Sequence, residues 1–353
     1  PPAIADPAAA ATAHRAPRRQ RPLSIATLNV RGSGRSDEMR CAAEMHHIDV
    51  LALTEVYSTT HCVQHVEGRR VFFAQTATPE EGRTRTGERG VGFVMTERSS
   101  TNPDAPRYLR FEAVCTRVAV LRVEVGGLRC AFVAAYAPPH SNHDAHERAT
   151  FWAALSETLH SIANARGTDR AQRVVVMGDF NAHVPNPCRK CPANENGRAL
   201  LKLLDEHQLL VANWREKRPK RDVWTWRSPR VSGYFVHDLL LVPVRFALEV
   251  RRVHAVWPNM ESCDHRMPRA IFDPRYNTAA RTAAPRRQQR QEELLRDAFP
   301  NASRVEELYK QVCDAYDAAE AQRAQRPKVF HQPWMTDELW QRIRAKGEAY
   351  RRW

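Results

Sequence analysis

The stretch "VVVMGDFN", residues 174–181, closes an apolar run on Gly178 and then places an acid, Asp179, and an amide, Asn181, two positions apart. A continuous β-branched run is the pattern of a strand buried on both faces, so its polar residues emerge where the strand leaves its sheet. Open α/β sheets and layered sandwiches carry their chemistry at such ends. Other runs behave alike. Asn29 ends the run in "ATLNVRG", Glu55 that in "VLALTEV" and Tyr136 that in "FVAAYAPP"; Asp238 opens "DLLLV", and Asp264 and His265 stand side by side in "ESCDHRMP". Each alone has a plain structural reading, as a turn amide, a solvated strand end, a core-edge ring or a strand-start acid. Together they are acids crowded at one rim, which repel one another unless a cation or a histidine offsets them.

Phosphodiester hydrolysis uses such a set. Glu55, assisted by Asp264 or Asn29, supplies the hard oxygen ligands that Mg²⁺ requires, with Mn²⁺ as an alternative ion. Asp179 can orient or deprotonate an attacking water, and His265 held by Asp238 can donate to the phosphoryl oxygen as it gains charge. Asn181 and Tyr136 add neutral donors that do not repel the substrate.

The elements that must position these residues follow from periodicity. Strands are expected at "LSIATLNV", "VLALTEV", "RVFFAQ", "GVGFVMT", "TRVAVLRVEV", "RCAFVAAYA", "RVVVMGDF", "DLLLVPV" and "LEVRRVHAV". Helices are expected at "HERATFWAALSETLHSIANA", where Phe151, Leu155, Leu159 and Ile162 share a face, and at "NGRALLKLLDEHQLL". This mixture over residues 23–273 predicts an α/β or α+β domain of two layered sheets. Residues 1–22 read as a disordered basic tail. After Pro274 a basic linker leads to a helical extension, 274–353, with a capping box at Ser303 and Glu306 and an N-cap at Thr336. The start without Met and the end on "YRRW" suggest a piece of a longer protein.

The chain has 353 residues and a formal net charge of +14, carried mainly by arginine, which favours a polyanionic partner. Its eight cysteines are scattered, several inside apolar runs, as in a reduced compartment rather than a disulfide scaffold. Only Cys188 and Cys191 form a CxxC, and no second pair completes a zinc site. No apolar run reaches the length of a membrane helix. Two loops mix arginine with glycine or tryptophan, "EEGRTRTGERG" and "WREKRPKRDVWTWRSPR". Arg227 and Arg230 of the second are expected at phosphates, and Trp224 or Trp226 either stacks on bases or lies buried at the sheet edge.

The segments "TLNVRG", "LALTEV", "AAYAPP", "GDFNAH", "HDLLLVP" and "CDHRMP" occur in the order and approximate spacing of the endonuclease/exonuclease/phosphatase superfamily, which residues 23–272 resemble. Within it, "RGVGFVM" and "GDFNAHVP" look most like the apurinic-endonuclease-like domain of non-LTR retrotransposons, and "QPWMTDELWQRIRAKGEAYRRW" like the linker toward a reverse transcriptase. The resemblance implies a four-layered α/β sandwich, two packed mixed sheets flanked by helices. It implies metal binding by Asn29 and Glu55 with help from Asp264, contact of Tyr136 with the scissile phosphate, and water positioning by Asp179 and Asn181. It further implies that Asp238 orients His265, and that Thr225 of "VWTWRS" meets the DNA backbone; Arg31, Arg227 and Arg230 are expected, as basic groups, to bind DNA beside it. The implied activity is Mg²⁺-dependent nicking of DNA in the nucleus, leaving a 3′-hydroxyl that primes reverse transcription, with element RNA as a further partner. The alternatives are an apurinic repair endonuclease or other phosphoesterase, and a degenerate nucleic-acid-binding domain. Two departures from the superfamily pattern bear on rate and metal preference: His237 stands where isoleucine is usual, and Cys263 where serine is usual.

Overall fold

The computed structural model describes residues 21–274, apart from 32–35, 57–61, 67, 75–89, 100–103, 140–144, 168–169, 172, 185–192, 215–223, 228–232, 259 and 261–262. The extreme N-terminal tail, Cys188 and Cys191, Arg230, most of both basic loops and the C-terminal helical extension therefore lie outside the described residues.

In chain order the elements are β1 (Leu23–Asn29), α1 (Ser36–Met45), β2 (Val50–Val56), β3 (Cys62–Val66), β4 (Arg69–Phe73), β5 (Gly90–Thr96), β6 (Arg107–Cys115), β7 (Val118–Val125) and β8 (Leu128–Tyr136). They continue with α2 (Ala145–Asn164), β9 (Arg173–Asp179), α3 (Glu195–Glu206), β10 (Leu209–Val211), β11 (Trp226–Arg227), β12 (Tyr234–Phe235), β13 (Asp238–Pro243), β14 (Val250–Val256) and β15 (Met267–Phe272). One sheet runs β14-β15-β1-β2-β5-β4-β3 and the other β10-β13-β9-β8-β7-β6, while β11 and β12 form a small hairpin. Each large sheet is mixed, antiparallel except for β1–β2 in the first and β8–β9 in the second.

Alternation along the strands sorts the core into three parts. Ile25, Ala52, Phe93, Phe132, Met177 and Leu240 meet between the sheets. Leu28, Leu51 and Leu53 point the other way and pack with Met39 and Ala43 of α1. Val133, Val176 and Leu239 pack with Phe151, Leu155, Leu159 and Ile162 of α2 and Leu200 and Leu204 of α3. The stack is therefore helix, sheet, sheet, helices, the four layers that the resemblance implies. Among the described residues no helix is long and apolar enough to cross a membrane.

Several elements are absent from the sequence-based expectation, α1, β3, β6, β11, β12 and β15, and β10 takes Leu209 and Leu210, which the pattern placed in the helix that ends at Glu206. β6 is the outer strand of its sheet and carries Arg107, Arg110 and Glu112, which pair with Glu124 and Arg122 of β7 or with one another. Charge on an edge strand blocks further strand pairing and also hides the strand from a hydrophobic-alternation search.

Gly178 is a packing requirement rather than a turn. A Cβ built there would lie 1.8 Å from the Ala135 carbonyl oxygen of the neighbouring strand β8. Gly178→Ala should force β8 and β9 apart and cost about 3 kcal/mol, read as a lower midpoint in thermal or denaturant unfolding; an unchanged midpoint would contradict this close approach.

Candidate active site

Register gathers the acids. Tyr136 of β8 lies directly beside Asp179 of β9, and Asp179 lies directly opposite Asp238 of β13. Neighbours in a row across a sheet project to the same face. That face is the inter-sheet one, because Ala134, Met177 and Leu240, each two residues away along its strand, belong to the core between the sheets. Asn29 comes to the same end from the facing sheet, since Ile25, four residues earlier on β1, is also an inter-sheet residue. It bridges two carboxylates: its Nδ2 donates to Glu55 Oε1 at 3.0 Å and to Asp179 Oδ2 at 2.8 Å.

Glu55 needs a local irregularity to take part. By strict alternation it would follow Leu51 and Leu53 toward α1. The β2–β5 register shifts between Thr54 and Val56, and Glu55 has φ of +55°. The bulge re-aims the side chain. Its Oε1 then accepts from the Tyr136 hydroxyl at 3.1 Å as well as from Asn29. Arg31 and Asn181, also just beyond strand ends, have φ of +51° and +44°. Left-handed backbone at non-glycine residues costs of order 1–3 kcal/mol each and clusters at functional sites.

The Asp179 carboxylate is buried and receives the Asn181 backbone N–H at 2.9 Å on its other oxygen. The Asn181 side chain donates to the Ala137 carbonyl at 2.9 Å. His265 Nδ1 lies 2.9 Å from Asp238 Oδ2, both groups being buried. Asp179, Asp238 and His265 each offer an atom within 4.8 Å of the others. Asp238 thus holds the His265 ring through Nδ1, leaving Nε2 as the ring's other polar atom.

Electrostatics follow from the crowding. Burial, then the charges of Glu55 and Asp179, push the Tyr136 phenol far above its ordinary range, so it remains a proton donor. The Arg117 guanidinium lies over its ring at 4.8 Å. Burial alone would lower His265, but Asp238, Asp179 and Asp264 outweigh it and raise the imidazole above its usual value. Burial raises Asp238, which His265 and the Thr225 hydroxyl oppose.

Other expected site residues sit differently. Thr225, expected at the DNA backbone, is fully buried, and its hydroxyl accepts the backbone N–H groups of His237 and Asp238 at 3.0 and 3.1 Å. It positions Asp238 and presents no surface to DNA. Asp264 does not contact Glu55 or Asn29 directly: its carboxylate accepts Trp226 Nε1 at 3.3 Å and lies 3.8 Å from Arg31. Arg31 and Arg227 are exposed. His237 is held as a stacking ring between Trp226 and His183, with centroids 5.3 Å from each. Burial pushes the Cys263 thiol up to about 12, so it stays protonated and donates to the Asn29 and His265 carbonyls at 3.1 and 3.3 Å. Cysteine thus ties the His265 loop to β1 without needing the usual serine hydroxyl.

Sequence reasoning missed the asparagines that hold this rim. Asn213, buried, accepts from Leu240 N at 2.8 Å and donates to the Asp238 carbonyl at 3.1 Å. Asn194 caps α3 through Gly197 N and donates to the Asn181 carbonyl at 2.9 Å. An asparagine three residues before Gly197 is an N-cap signal in "NENG", but nothing in the sequence ties it to Asn181.

Two mixed sheets packed face to face and flanked by helices are closed at one end by an Asn–Glu–Tyr–Asp network and an Asp–His pair. Residues 130–267 match the family model described as endonuclease-reverse transcriptase. The fold is similar to that of the AP endonuclease LMAP from Leishmania major, at 16% identity and a TM-score of 0.54 over 72% of this chain and 88% of that one. It is similar to the endonuclease domain of TRAS1, a telomere-specific non-LTR retrotransposon, at 13% identity and a TM-score of 0.50 over 71% and 98%. The 3′-5′ exonuclease NExo from Neisseria meningitidis shares it at 18% identity and a TM-score of 0.51 over 71% and 100%. A search of curated protein sequences found no match.

Proposed function

We propose that the chain is a Mg²⁺-dependent DNA endonuclease that nicks one strand and leaves a 3′-hydroxyl for a linked reverse transcriptase to extend at nuclear DNA. The observation that carries this reading is Asn29 joining Glu55 to Asp179 beside the buried Asp238–His265 pair. The match of residues 130–267 to an endonuclease-reverse transcriptase family supports the priming role.

The donor set suits a hard divalent ion. Glu55, half-buried, and the Asn29 amide offer oxygen, and buried acids around them need a cation to offset their repulsion. Glu55 with Asn29 would hold it, and Asp264 would assist from the adjoining loop. Bound there, the ion would neutralise phosphate charge. Asp179 orients the attacking water and accepts its proton as the new oxygen–phosphorus bond forms and the bond to the 3′-oxygen breaks, the departing 3′-oxygen taking a proton from solvent water to become the 3′-hydroxyl. The protonated His265, Tyr136 and Asn181 donate to the phosphate oxygens as charge accumulates. Arg31 and Arg227 meet backbone phosphates beside the site.

The test is supercoiled plasmid incubated with increasing Mg²⁺. Wild type should relax it by single nicks. Glu55→Gln should need roughly tenfold more Mg²⁺ for half its maximal rate, with a matching loss in a direct Mg²⁺ titration, as removal of one charged ligand predicts. Cleavage confined to abasic sites would replace this reading with repair, and DNA binding without cleavage would replace it with a binding-only domain.

A further inference from the structure

A second group of ligating side chains lies outside this rim. His160 of α2, Glu206 at the end of α3 and His207 just after it each offer an atom within 4.8 Å of the other two. Both imidazole Nε2 atoms are 3.9 Å from Glu206 Oε1. The N-cap of α3, Asn194, touches Asn181 at the catalytic end. The helix has 12 residues, so its far end is ~18 Å along its axis from there.

The local structure presents His160 Nε2 to an ion, while His207 Nε2 would exchange its bond to Ser156 Oγ for the ion. His160 Nδ1 faces the Ser156 carbonyl at 3.1 Å, one helical turn earlier. A carbonyl only accepts, so Nδ1 carries the proton and Nε2 keeps its lone pair, the arrangement found in metal-bound histidines. Ser156 Oγ lies 2.8 Å from His207 Nε2 and 3.1 Å from Glu206 Oε1. This is not a serine–histidine–acid relay, because serine and acid approach the same ring nitrogen instead of opposite ones. The His207 backbone is fixed by its N–H bond to the Leu203 carbonyl at 3.0 Å. The His160 and Glu206 side chains are more than a third exposed and free to adjust. The group adjoins a cleft of about 820 Å³ between α2 and α3 whose lining includes Ser156, His160 and Glu206.

We propose that His160, Glu206 and His207 bind a divalent transition-metal ion, Zn²⁺, with a fourth position open to water. Tetrahedral Zn²⁺ with bonds near 2.1 Å sets its ligand atoms about 3.4 Å apart. Closing the two 3.9 Å separations takes about half an ångström, and the His160–His207 pair, within 4.8 Å, closes by at most about 1.4 Å, through rotation at His160 and Glu206. Two imidazoles and one carboxylate favour Zn²⁺ over Mg²⁺, which prefers all-oxygen octahedral surroundings. The ion fastens α2 to the end of α3, both of which cover the same outer core.

The test uses the full chain freed of metal by a chelator and then saturated with Mg²⁺ to occupy the catalytic rim. Titration calorimetry with Zn²⁺ should show one bound equivalent that His160→Ala and His207→Gln abolish or weaken roughly 100-fold. His160→Ala should retain the metal-free melting temperature and the Mg²⁺-dependent nicking rate. Co²⁺ in place of Zn²⁺ should give the visible bands of a four-coordinate ion without the thiolate charge-transfer bands that Cys188 and Cys191 would add. Equal Zn²⁺ stoichiometry and affinity in wild type and both variants would overturn the proposal. So would thiolate bands that persist in His160→Ala.

Discussion

Asp179→Asn should yield a protein that folds, melts near the wild-type temperature and nicks supercoiled DNA some 10²- to 10⁴-fold more slowly, the range expected for loss of a general base. The prediction separates two roles that a buried acid can have. Asp179 accepts Asn29 Nδ2 at 2.8 Å and Asn181 N at 2.9 Å, so it contributes to the rim's structure. Asparagine keeps one acceptor oxygen for Asn181 N but turns an amide toward the Asn29 amide, at a cost of about 1 kcal/mol for the lost bond. Against that, Asp179 is a charge among charges. It raises Asp238 and helps push up Tyr136, both signs of repulsion between it and groups that ionise to anions. Neutralising it relieves that repulsion, while lowering the support it gives to protonated His265. The opposing effects leave the melting temperature nearly unchanged, as is common where an active site holds strain for function. Paired measurements of thermal unfolding and plasmid relaxation decide it. A folded Asp179→Asn protein that nicks at the wild-type rate would remove Asp179 from the chemistry.

What could be read from the sequence, and what could not, follows from the range of the interactions. Tyr136, Asp179 and Asp238 each close or open a strongly apolar run, so their place at strand ends is a local fact. Their meeting in one row is a consequence of β8, β9 and β13 being neighbours. Glu55 shows the limit of periodicity. Counting by twos from Leu51 puts it on the α1 face, and only the bulge opposite β5 and the positive φ bring it to Asn29 and Tyr136. The sequence marks that bulge by no glycine. Thr225 was legible as a site residue but not in its orientation, because its partners are backbone N–H groups twelve and thirteen residues away. Asn213 was not legible at all: it clamps β13 from a short 3₁₀ turn across the sheet edge. Among whole elements, β15 escaped notice because Pro268 interrupts a run that pairs with β1 and β14 on either side. The His237 and Cys263 departures, which raise doubt in a motif comparison, turn out to be a stacked ring and a protonated latch.

Asp238→Asn should remove most of the nicking activity at pH 7.5, by about 10²- to 10⁴-fold, and should displace the alkaline limb of the pH–rate profile toward acid. The Asp238 carboxylate is fully buried and holds His265 Nδ1 at 2.9 Å, while the residue's backbone N–H donates to the Thr225 hydroxyl at 3.1 Å. With that charge in place His265 stays protonated above its ordinary range, as a donor to a phosphate oxygen requires. With asparagine there, burial, which is the largest influence on His265 and lowers it, has less to oppose it. The ring then loses its proton below neutrality. Some activity should return as the pH is lowered and even the lowered imidazole protonates. The same linkage sets the sign for stability. His265 has a raised folded-state value, so its contribution is fully present below the unfolded imidazole's value of about 6.5 and is lost as pH rises through the folded one. Asp238, raised by burial from 3.8 to about 6, changes its contribution only between those two values and adds nothing further in alkaline solution. The melting temperature of wild type should therefore exceed that of Asp238→Asn most at pH 6, with the gap narrowing or reversing in alkaline solution. Parallel pH–rate curves for the two proteins, displaced only in height, would mean that Asp238 acts on something other than the proton of His265.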